Sequence, residues 1–209
     1  MIIVDNLKFI GQGTQKLVYE YPGDSHKVIK IMRPENATAD GGRANQHHLR
    51  SHRSQGIYRQ FRREVLQYLQ LCKNNYGTNN LVFPIETVYG FVATNKGLGL
   101  ITEKITSSEG RSLTLEDLLI KKNFGEKQKK ALNIFFDECC ESHVVFSEVN
   151  IGGIMYTEHR QGRPEFVLVD GIGEKLIIPF RAMSKKINAR NIRKVEKRIK
   201  NKINYWLSI

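Results

Sequence analysis

The spacing of the apolar residues changes part-way along this chain, and that change limits the folds it can adopt. In the first half, short apolar stretches such as VIKIM at 28–32 are separated by turn residues, which predicts antiparallel strands. One segment there, at 61–72, has helical spacing instead, which predicts a helix over about 58–72. From Leu113 onward, helical spacing predominates. We therefore predict an α+β fold of two lobes: a β-sheet carrying one helix over 1–104, and a reduced, mainly helical lobe over 105–209.

The chain is strongly basic, with 33 Lys and Arg against 21 Asp and Glu and a net charge of +12. Its hydrophobic fraction of 40% is enough for a core, which excludes a disordered polycation. The charge is concentrated in two places, because residues 41–63 contribute +6 and residues 181–209 contribute +9. The second segment alternates apolar and basic residues, which predicts an amphipathic helix over about 184–207. Its basic face favours an acidic partner, and nucleic acid is the less favoured alternative.

The cysteines and the longer apolar stretches indicate where the protein resides. The chain has three cysteines, Cys72, Cys139 and Cys140, and two of them are adjacent. This odd number and spacing do not favour a fold stabilised by disulfides. No stretch approaches the ~20 apolar residues that span a bilayer, and the first residues lack the features of a signal peptide. We expect a cytoplasmic protein with no membrane span.

Two features of the first lobe suit phosphate chemistry. Gly11 and Gly13 lie between two predicted strands, where glycines let backbone N–H groups approach a polyphosphate. The alternative is a glycine-containing hairpin turn. Lys30 lies inside the apolar strand at 28–32, where a desolvated lysine needs a counter-charge or a phosphate. The alternative is a lysine on an edge strand.

Two carboxylates complete the pattern. Glu64 lies beside the apolar stripe of the predicted helix and can supply the counter-charge for Lys30, although a solvent-facing glutamate is the alternative. Asp170 follows the apolar run FVLV and precedes Gly171, so its carboxylate is presented at the end of a strand. Such a position suits Mg²⁺, which takes one or two protein carboxylates. An ordinary turn aspartate is the alternative.

A glycine loop, a strand lysine, a helix glutamate and a late aspartate, in this order, are the parts of the protein-kinase phosphoryl-transfer site. The chain resembles the YrbL family, bacterial proteins of the PhoP regulatory network with a minimal protein-kinase-like fold. The resemblance covers nearly the whole chain and is clearest in GLGLITEKI at 97–105 and DGIGEKLIIP at 170–179. It implies a phosphotransferase that uses ATP and Mg²⁺ and acts on a protein or on a small hydroxyl compound.

The resemblance also implies a role for each matching residue. Lys30 would hold the α- and β-phosphates of ATP, Glu64 would orient Lys30, and Asp170 would bind Mg²⁺. Glu103 and Ile105 would belong to the hinge beside the adenine. The residues that would contact the nucleotide are Gly11, Gly13, Val18, Lys30, Glu103 and Ile105.

The chain departs from the kinase pattern in SEVNIGGIM at 147–155, which takes the place of the catalytic loop. Glu148 occupies the position of the aspartate base, and Gly153 that of the metal-binding asparagine. Glu148 is also a carboxylate, so it keeps the chemistry of a base, and Asn150 is an alternative metal ligand. The competing hypothesis is a catalytically degenerate pseudokinase that acts as a basic binding or regulatory module.

A second departure follows Asp170, because only eight residues, 171–178, separate it from Pro179. Protein kinases use a longer segment here, and its ordering switches the enzyme on. The sequence therefore predicts a different substrate platform or a small substrate.

Overall fold

A computed structural model describes residues 1–44, 54–78, 80–176 and 178–208 of the chain. The predicted α+β class is confirmed, with one five-stranded and one three-stranded sheet and five α-helices among the described residues. Residues 45–53, in the centre of the arginine-rich segment at 41–63, lie outside the described residues.

The chain divides into two compact units. Unit 1 consists of Met1–Val65 and Thr87–Lys104, and unit 2 consists of Leu66–Glu86 and Ile105–Ile209. The segment Leu66–Glu86, which the sequence assigns to the first lobe, thus belongs to unit 2.

Unit 1 is built on a five-stranded antiparallel sheet. Its strands are β1 (Phe9–Gln12), β2 (Lys16–Glu20), β3 (Lys27–Met32), β4 (Val88–Thr94) and β5 (Gly97–Glu103). Their order in the sheet is β1-β2-β3-β5-β4, so the apolar strand β3 is central and buried along nearly its whole length. Gly99 on β5 leaves room for β3, because a Cβ there would lie 2.6 Å from Cγ2 of Ile29.

The two faces of this sheet differ, because side chains alternate along a strand. One face carries an apolar cluster of Val4, Tyr19, Ile29 and Ile31. The other carries a cluster of Met32, Ile57, Phe61 and Leu100. Lys30 lies on the second face, since its cross-strand neighbours are Val18 and Leu100.

Helix α1 (Arg59–Asn74) agrees with the helix predicted over 58–72. It follows a 3₁₀ turn at Gly56–Tyr58. Its first part belongs to unit 1, where Phe61 is buried, and its second part to unit 2, where Leu71 is buried. Helical spacing of apolar residues therefore located this element correctly.

The segment VFPIETVYGFVAT at 82–94 predicts strand structure, but regular pairing in the unit 1 sheet begins only at Val88. The preceding residues pair elsewhere: the carbonyl of Pro84 accepts from the N–H of Leu168 at 3.0 Å, and the N–H of Glu86 donates to the carbonyl of Leu168 at 3.1 Å. The segment is therefore shared between two sheets, which apolar spacing alone does not show.

Unit 2 combines helices with a small antiparallel sheet. Its helices are α2 (Leu115–Ile120), α3 (Glu126–Glu141), α4 (Phe180–Met183) and α5 (Lys185–Leu207), and its strands are β6 (Leu113–Thr114), β7 (Ile154–Thr157) and β8 (Glu165–Leu168). Thr114 and Asp117 form a capping box that starts α2. In the core between these elements, the ring of Phe135 stacks on that of Phe146, and the ring of Phe136 meets both edge to face.

The basic C-terminal segment forms the predicted amphipathic helix. Ser184 caps α5 by accepting a hydrogen bond from the N–H of Ile187. Four apolar residues of α5 are buried in the core of unit 2, namely Ile192, Val195, Ile199 and Ile203. At about 1.5–3 kcal/mol for each buried side chain, they hold the helix firmly against unit 2.

None of the helices in the described part of the chain combines the length and apolarity needed to cross a membrane. Cys72, Cys139 and Cys140 are all free thiols.

Candidate functional site

The glycine loop of unit 1 connects β1 to β2. The N–H of Gly13 donates to the carbonyl of Lys16 at 2.8 Å, which closes the turn. Neither Gly11 nor Gly13 has a positive φ, and a Cβ on either would meet no atom within 4 Å. The fold itself therefore does not require glycine at these positions, and the backbone remains open to an approaching group.

Behind this loop, a buried ion pair links the sheet to α1. Nζ of Lys16 lies 2.6 Å from Oε1 of Glu64, and the two side chains are 6% and 1% exposed. The second carboxylate oxygen, Oε2 of Glu64, is buried and accepts no hydrogen bond within the described residues. Glu64 is thus a buried carboxylate on the helix, and Lys16 is a partner that the sequence reasoning missed. The predicted contact between Glu64 and Lys30 stays a prediction.

Lys16 and Lys30 share one face of the sheet. The register pairs Val18 with Lys30, and Lys16 lies two residues before Val18 on the same strand, so the two lysines are diagonal neighbours. Both are buried, each at 5% exposure. One signal in the sequence pointed to Lys16: it shares the alternating face of Val18 and follows directly on the glycine loop.

The two predicted hinge residues have structural contacts of their own. A carboxylate oxygen of Glu103 accepts hydrogen bonds from the N–H of Thr87 at 3.1 Å and from its hydroxyl at 2.8 Å, all within unit 1. In unit 2, Ile105 is buried, and its carbonyl accepts from the hydroxyl of Ser112 at 3.1 Å. Neither contact tests whether this backbone binds adenine.

In unit 2, the segment of Glu148 and Asn150 pairs with the segment of Asp170. The N–H of Ser147 donates to the carbonyl of Gly171 at 2.8 Å, and the N–H of Gly173 donates to the carbonyl of Val145 at 2.8 Å. The N–H of Val169 donates to the carbonyl of Gly153 at 2.9 Å. Segments about 20 residues apart in sequence are thereby held side by side, with the predicted base and metal ligands among them.

Two glycines make this pairing sterically possible. Gly171 has a φ of +78°, and a Cβ on it would lie 2.9 Å from the carbonyl carbon of Glu148. A Cβ on Gly153 would lie 3.3 Å from Cβ of Asp170, so a larger residue at 153 would press on the aspartate. The absence of a side chain at Gly153 therefore allows the close approach of Asp170.

The side chains of Glu148 and Asn150 are placed differently. The Glu148 carboxylate forms an ion pair with Lys175, and 69% of its side chain is exposed. Oδ1 of Asn150 accepts from the N–H of Gly153 at 3.0 Å and so caps the 3₁₀ turn Ile151–Gly153. An amide oxygen has two lone pairs, so one remains available to a further ligand.

The short stretch after Asp170 is held by Arg181. The guanidinium of Arg181 donates to the carbonyl of Phe146 at 2.7 Å and forms an ion pair with Glu174. Burial alone would raise the pKa of Glu174, but the hydrogen bonds from Arg181 and the backbone lower it below its usual value. Nε2 of His143 lies 2.7 Å from the carbonyl of Arg181, so this histidine has a structural contact.

The donor set of this region can be compared with the needs of Mg²⁺. Within the described residues, no group of three or more His, Cys, Asp or Glu side chains is arranged to hold a metal ion. Cβ and the backbone of Asp170 lie beside Gly153, and the Asn150 amide oxygen accepts a hydrogen bond from the N–H of Gly153. A carboxylate and an amide oxygen are the kinds of ligand that Mg²⁺ takes, since it binds through one or two protein groups and completes its shell with phosphate oxygens and water.

The comparison with protein families agrees with the resemblance seen in the sequence. The model of the family described as PhoP regulatory network protein YrbL matches residues 2–204. The chain belongs to this family. No curated protein matches it. The YrbL description names a regulatory network and no reaction.

Proposed function

We propose that this YrbL-family chain is an ATP- and Mg²⁺-dependent phosphotransferase with a minimal protein-kinase-like arrangement. The observation that carries the proposal is the backbone pairing of the segment that carries Glu148 and Asn150 with the segment that carries Asp170. Phosphoryl transfer depends mainly on positioning and on neutralising phosphate charge. The pairing of the two segments would position the metal ligands and the base.

The nucleotide would be bound by residues of unit 1. The glycine loop supports this role because its backbone is open and its glycines have no steric reason to be glycine. Lys30 would contact the α- and β-phosphates, and the buried lysine beside it on the sheet, Lys16, adds positive charge to the same face. Glu64 would orient these lysines.

Residues of unit 2 would carry the chemistry. Asp170 and Asn150 would hold Mg²⁺, which when bound neutralises phosphate charge. Glu148 would accept the proton of the acceptor hydroxyl, because it is a carboxylate at the position of the base. Because its side chain is exposed, Glu148 can break its ion pair with Lys175 without leaving an unpaired charge buried. We place the protein in the cytoplasm, where ATP is available and its three free thiols stay reduced.

The test is nucleotide binding followed by transfer. We expect ATP with Mg²⁺ to raise the thermal midpoint of the wild-type protein and [γ-³²P]ATP to label an acceptor or the protein itself. Lys30→Met and Asp170→Asn should lose both effects while keeping the native circular dichroism spectrum. Asp137→Asn is the matched control, because Asp137 is a surface acid of α3 whose side chain is 56% exposed. An absent thermal shift in the wild type, or full labelling by Asp170→Asn, would contradict the proposal.

The second candidate is a pseudokinase that binds ATP and serves as a basic regulatory module for an acidic protein or for nucleic acid. The ion pair of Glu148 with Lys175 favours it, because a neutralised carboxylate is a poorer base. This candidate predicts an ATP-dependent thermal shift with no transfer. If nucleic acid is the partner, binding to DNA or RNA should weaken steeply with salt.

A further inference from the structure

A pocket of about 480 Å³ opens in unit 2 between the Glu148 segment and helix α5. It is lined by Ser147, Glu148, Val149, Asn150, Ile151, Arg198, Ile199 and Lys202. Its volume lies within the range of about 300–1,000 Å³ found for small-molecule sites. The predicted base and a predicted metal ligand therefore share one cavity with residues of the basic helix.

Arg198 is fixed at the wall of this pocket. One guanidinium nitrogen donates to the carbonyl of Val149 at 2.6 Å, which ties α5 to the loop that carries Glu148 and Asn150. A guanidinium has five N–H donors, so others remain for a ligand. The position of this charge is thus set by the same loop that positions the base.

Lys202 adds a second cation on the same side of the helix. It lies four residues after Arg198, and residues at this spacing are neighbours on a helix surface. In the part of the chain that the structure describes, neither residue forms an ion pair with an acidic side chain. The acid of the pocket, Glu148, already has Lys175 as its partner. The pocket therefore carries an excess of positive charge.

We infer that this pocket binds the phosphoryl acceptor, and that the acceptor is a small compound with a hydroxyl group and an anionic group, either phosphate or carboxylate. This inference rests on the proposed function. The anionic group contacts Lys202 and Arg198, because charge-assisted hydrogen bonds favour phosphate and carboxylate oxygens there. The short chain between Asp170 and Pro179 agrees with a small acceptor, since it offers no long segment to seat a peptide.

The orientation of the acceptor follows from the charges of the groups that line the pocket. With the anion at Lys202, the hydroxyl lies toward Glu148. The hydroxyl oxygen attacks the γ-phosphorus of ATP, the bond from that phosphorus to the bridging oxygen breaks, and ADP leaves with the electron pair. The hydroxyl proton passes to the Glu148 carboxylate, so the products are ADP and the phosphate ester.

The experiment measures binding of three probes to the full-length protein by isothermal titration calorimetry. Glycerol 3-phosphate carries a hydroxyl and a phosphate, glycerate carries a hydroxyl and a carboxylate, and glycerol carries hydroxyls only. We expect at least one anionic probe to bind at least tenfold more tightly than glycerol, and the tighter of the two identifies the anionic group. Lys202→Ala should weaken that binding about tenfold or more, as expected for the loss of a charge-assisted hydrogen bond.

Lys197→Ala is the matched control, because Lys197 is an exposed lysine of the same helix that does not line the pocket. It removes the same charge and should leave the affinity unchanged within twofold. The inference is overturned if neither anionic probe binds better than glycerol, or if both variants weaken binding equally. Failure of the proposed function appears separately, as a missing thermal shift of the wild type with ATP and Mg²⁺ in the absence of these probes.

Discussion

Replacing Glu64 by Gln should strongly destabilise the protein, because it removes a buried carboxylate that forms an ion pair with the buried Lys16. At 2.6 Å, the attraction between the two charges is about 6 kcal/mol for an effective dielectric constant of about 20. Much of this offsets the cost of removing both charges from water. Removing one partner of a buried pair typically costs about 3–5 kcal/mol, and we expect that loss in the free energy of unfolding.

The assay is urea unfolding followed by circular dichroism, with the thermal midpoint as a second measurement. For a chain of about this size, 1 kcal/mol corresponds to about 2–4 °C, so the midpoint should fall by about 6–20 °C. Lys16→Met should cost a similar amount, since it leaves Glu64 unpaired. The double variant removes both charges and should cost clearly less than the sum of the single variants, with a coupling energy of about 2–3 kcal/mol.

Lys96→Met serves as the control, because Lys96 forms an ion pair with Asp5 at the surface of unit 1, with side chains 31% and 58% exposed. Exposed pairs contribute about 0–1 kcal/mol, so this variant should unfold almost like the wild type. The reasoning is refuted if Glu64→Gln costs no more than Lys96→Met, or if the costs of Lys16→Met and Glu64→Gln simply add in the double variant. These measurements also separate unfolding of Glu64→Gln from a loss of nucleotide binding, if this variant loses ATP-dependent labelling.

Three further outcomes are expected. Gly171→Ala should lower the free energy of unfolding in urea by about 2 kcal/mol more than Gly162→Ala, the size expected for overpacking. Both glycines have a positive φ and share that backbone strain, but only a Cβ on Gly171 would press on another atom, the carbonyl carbon of Glu148 at 2.9 Å. Equal costs would contradict this. Hydrogen bonds from Lys127, Tyr156 and Ser108 lower the pKa of Glu158 to about 2. The stability advantage of the wild type over Glu158→Gln should therefore be complete above pH 4.5 and disappear as the pH falls toward 2. An advantage that does not change with pH would be inconsistent with that pKa. Burial raises the pKa of Cys139 well above its usual value, so a thiol reagent at pH 8 should leave it unmodified until the protein is unfolded.

Local patterns were sufficient where one segment determines its own structure. The helices at 58–72 and 184–207 follow from the spacing of their apolar residues and are observed at Arg59–Asn74 and Lys185–Leu207. The strand at 28–32 follows from its continuous apolar character. In each case, all the residues that form the buried face lie within one segment, so no distant partner is needed to recognise it.

Features that depend on distant partners could not be predicted in the same way. Lys16 meets Glu64 because the register of β2 with β3 places that lysine on the face covered by α1. The pocket exists because α5 docks on a loop about 50 residues earlier, with Arg198 bonded to Val149. Neither the register nor the docking is encoded in the spacing of a single segment.

The way Arg181 holds the stretch after Asp170 has a consequence for control of the protein. This stretch is short, and Arg181 links Glu174 within it to the carbonyl of Phe146, so the stretch contains no long loop that must become ordered before a substrate is engaged. For a phosphotransferase of this kind, we expect progress curves without a lag and a rate set by the amounts of protein and acceptor. A cell would then adjust the rate of phosphoryl transfer by making more or less of the protein.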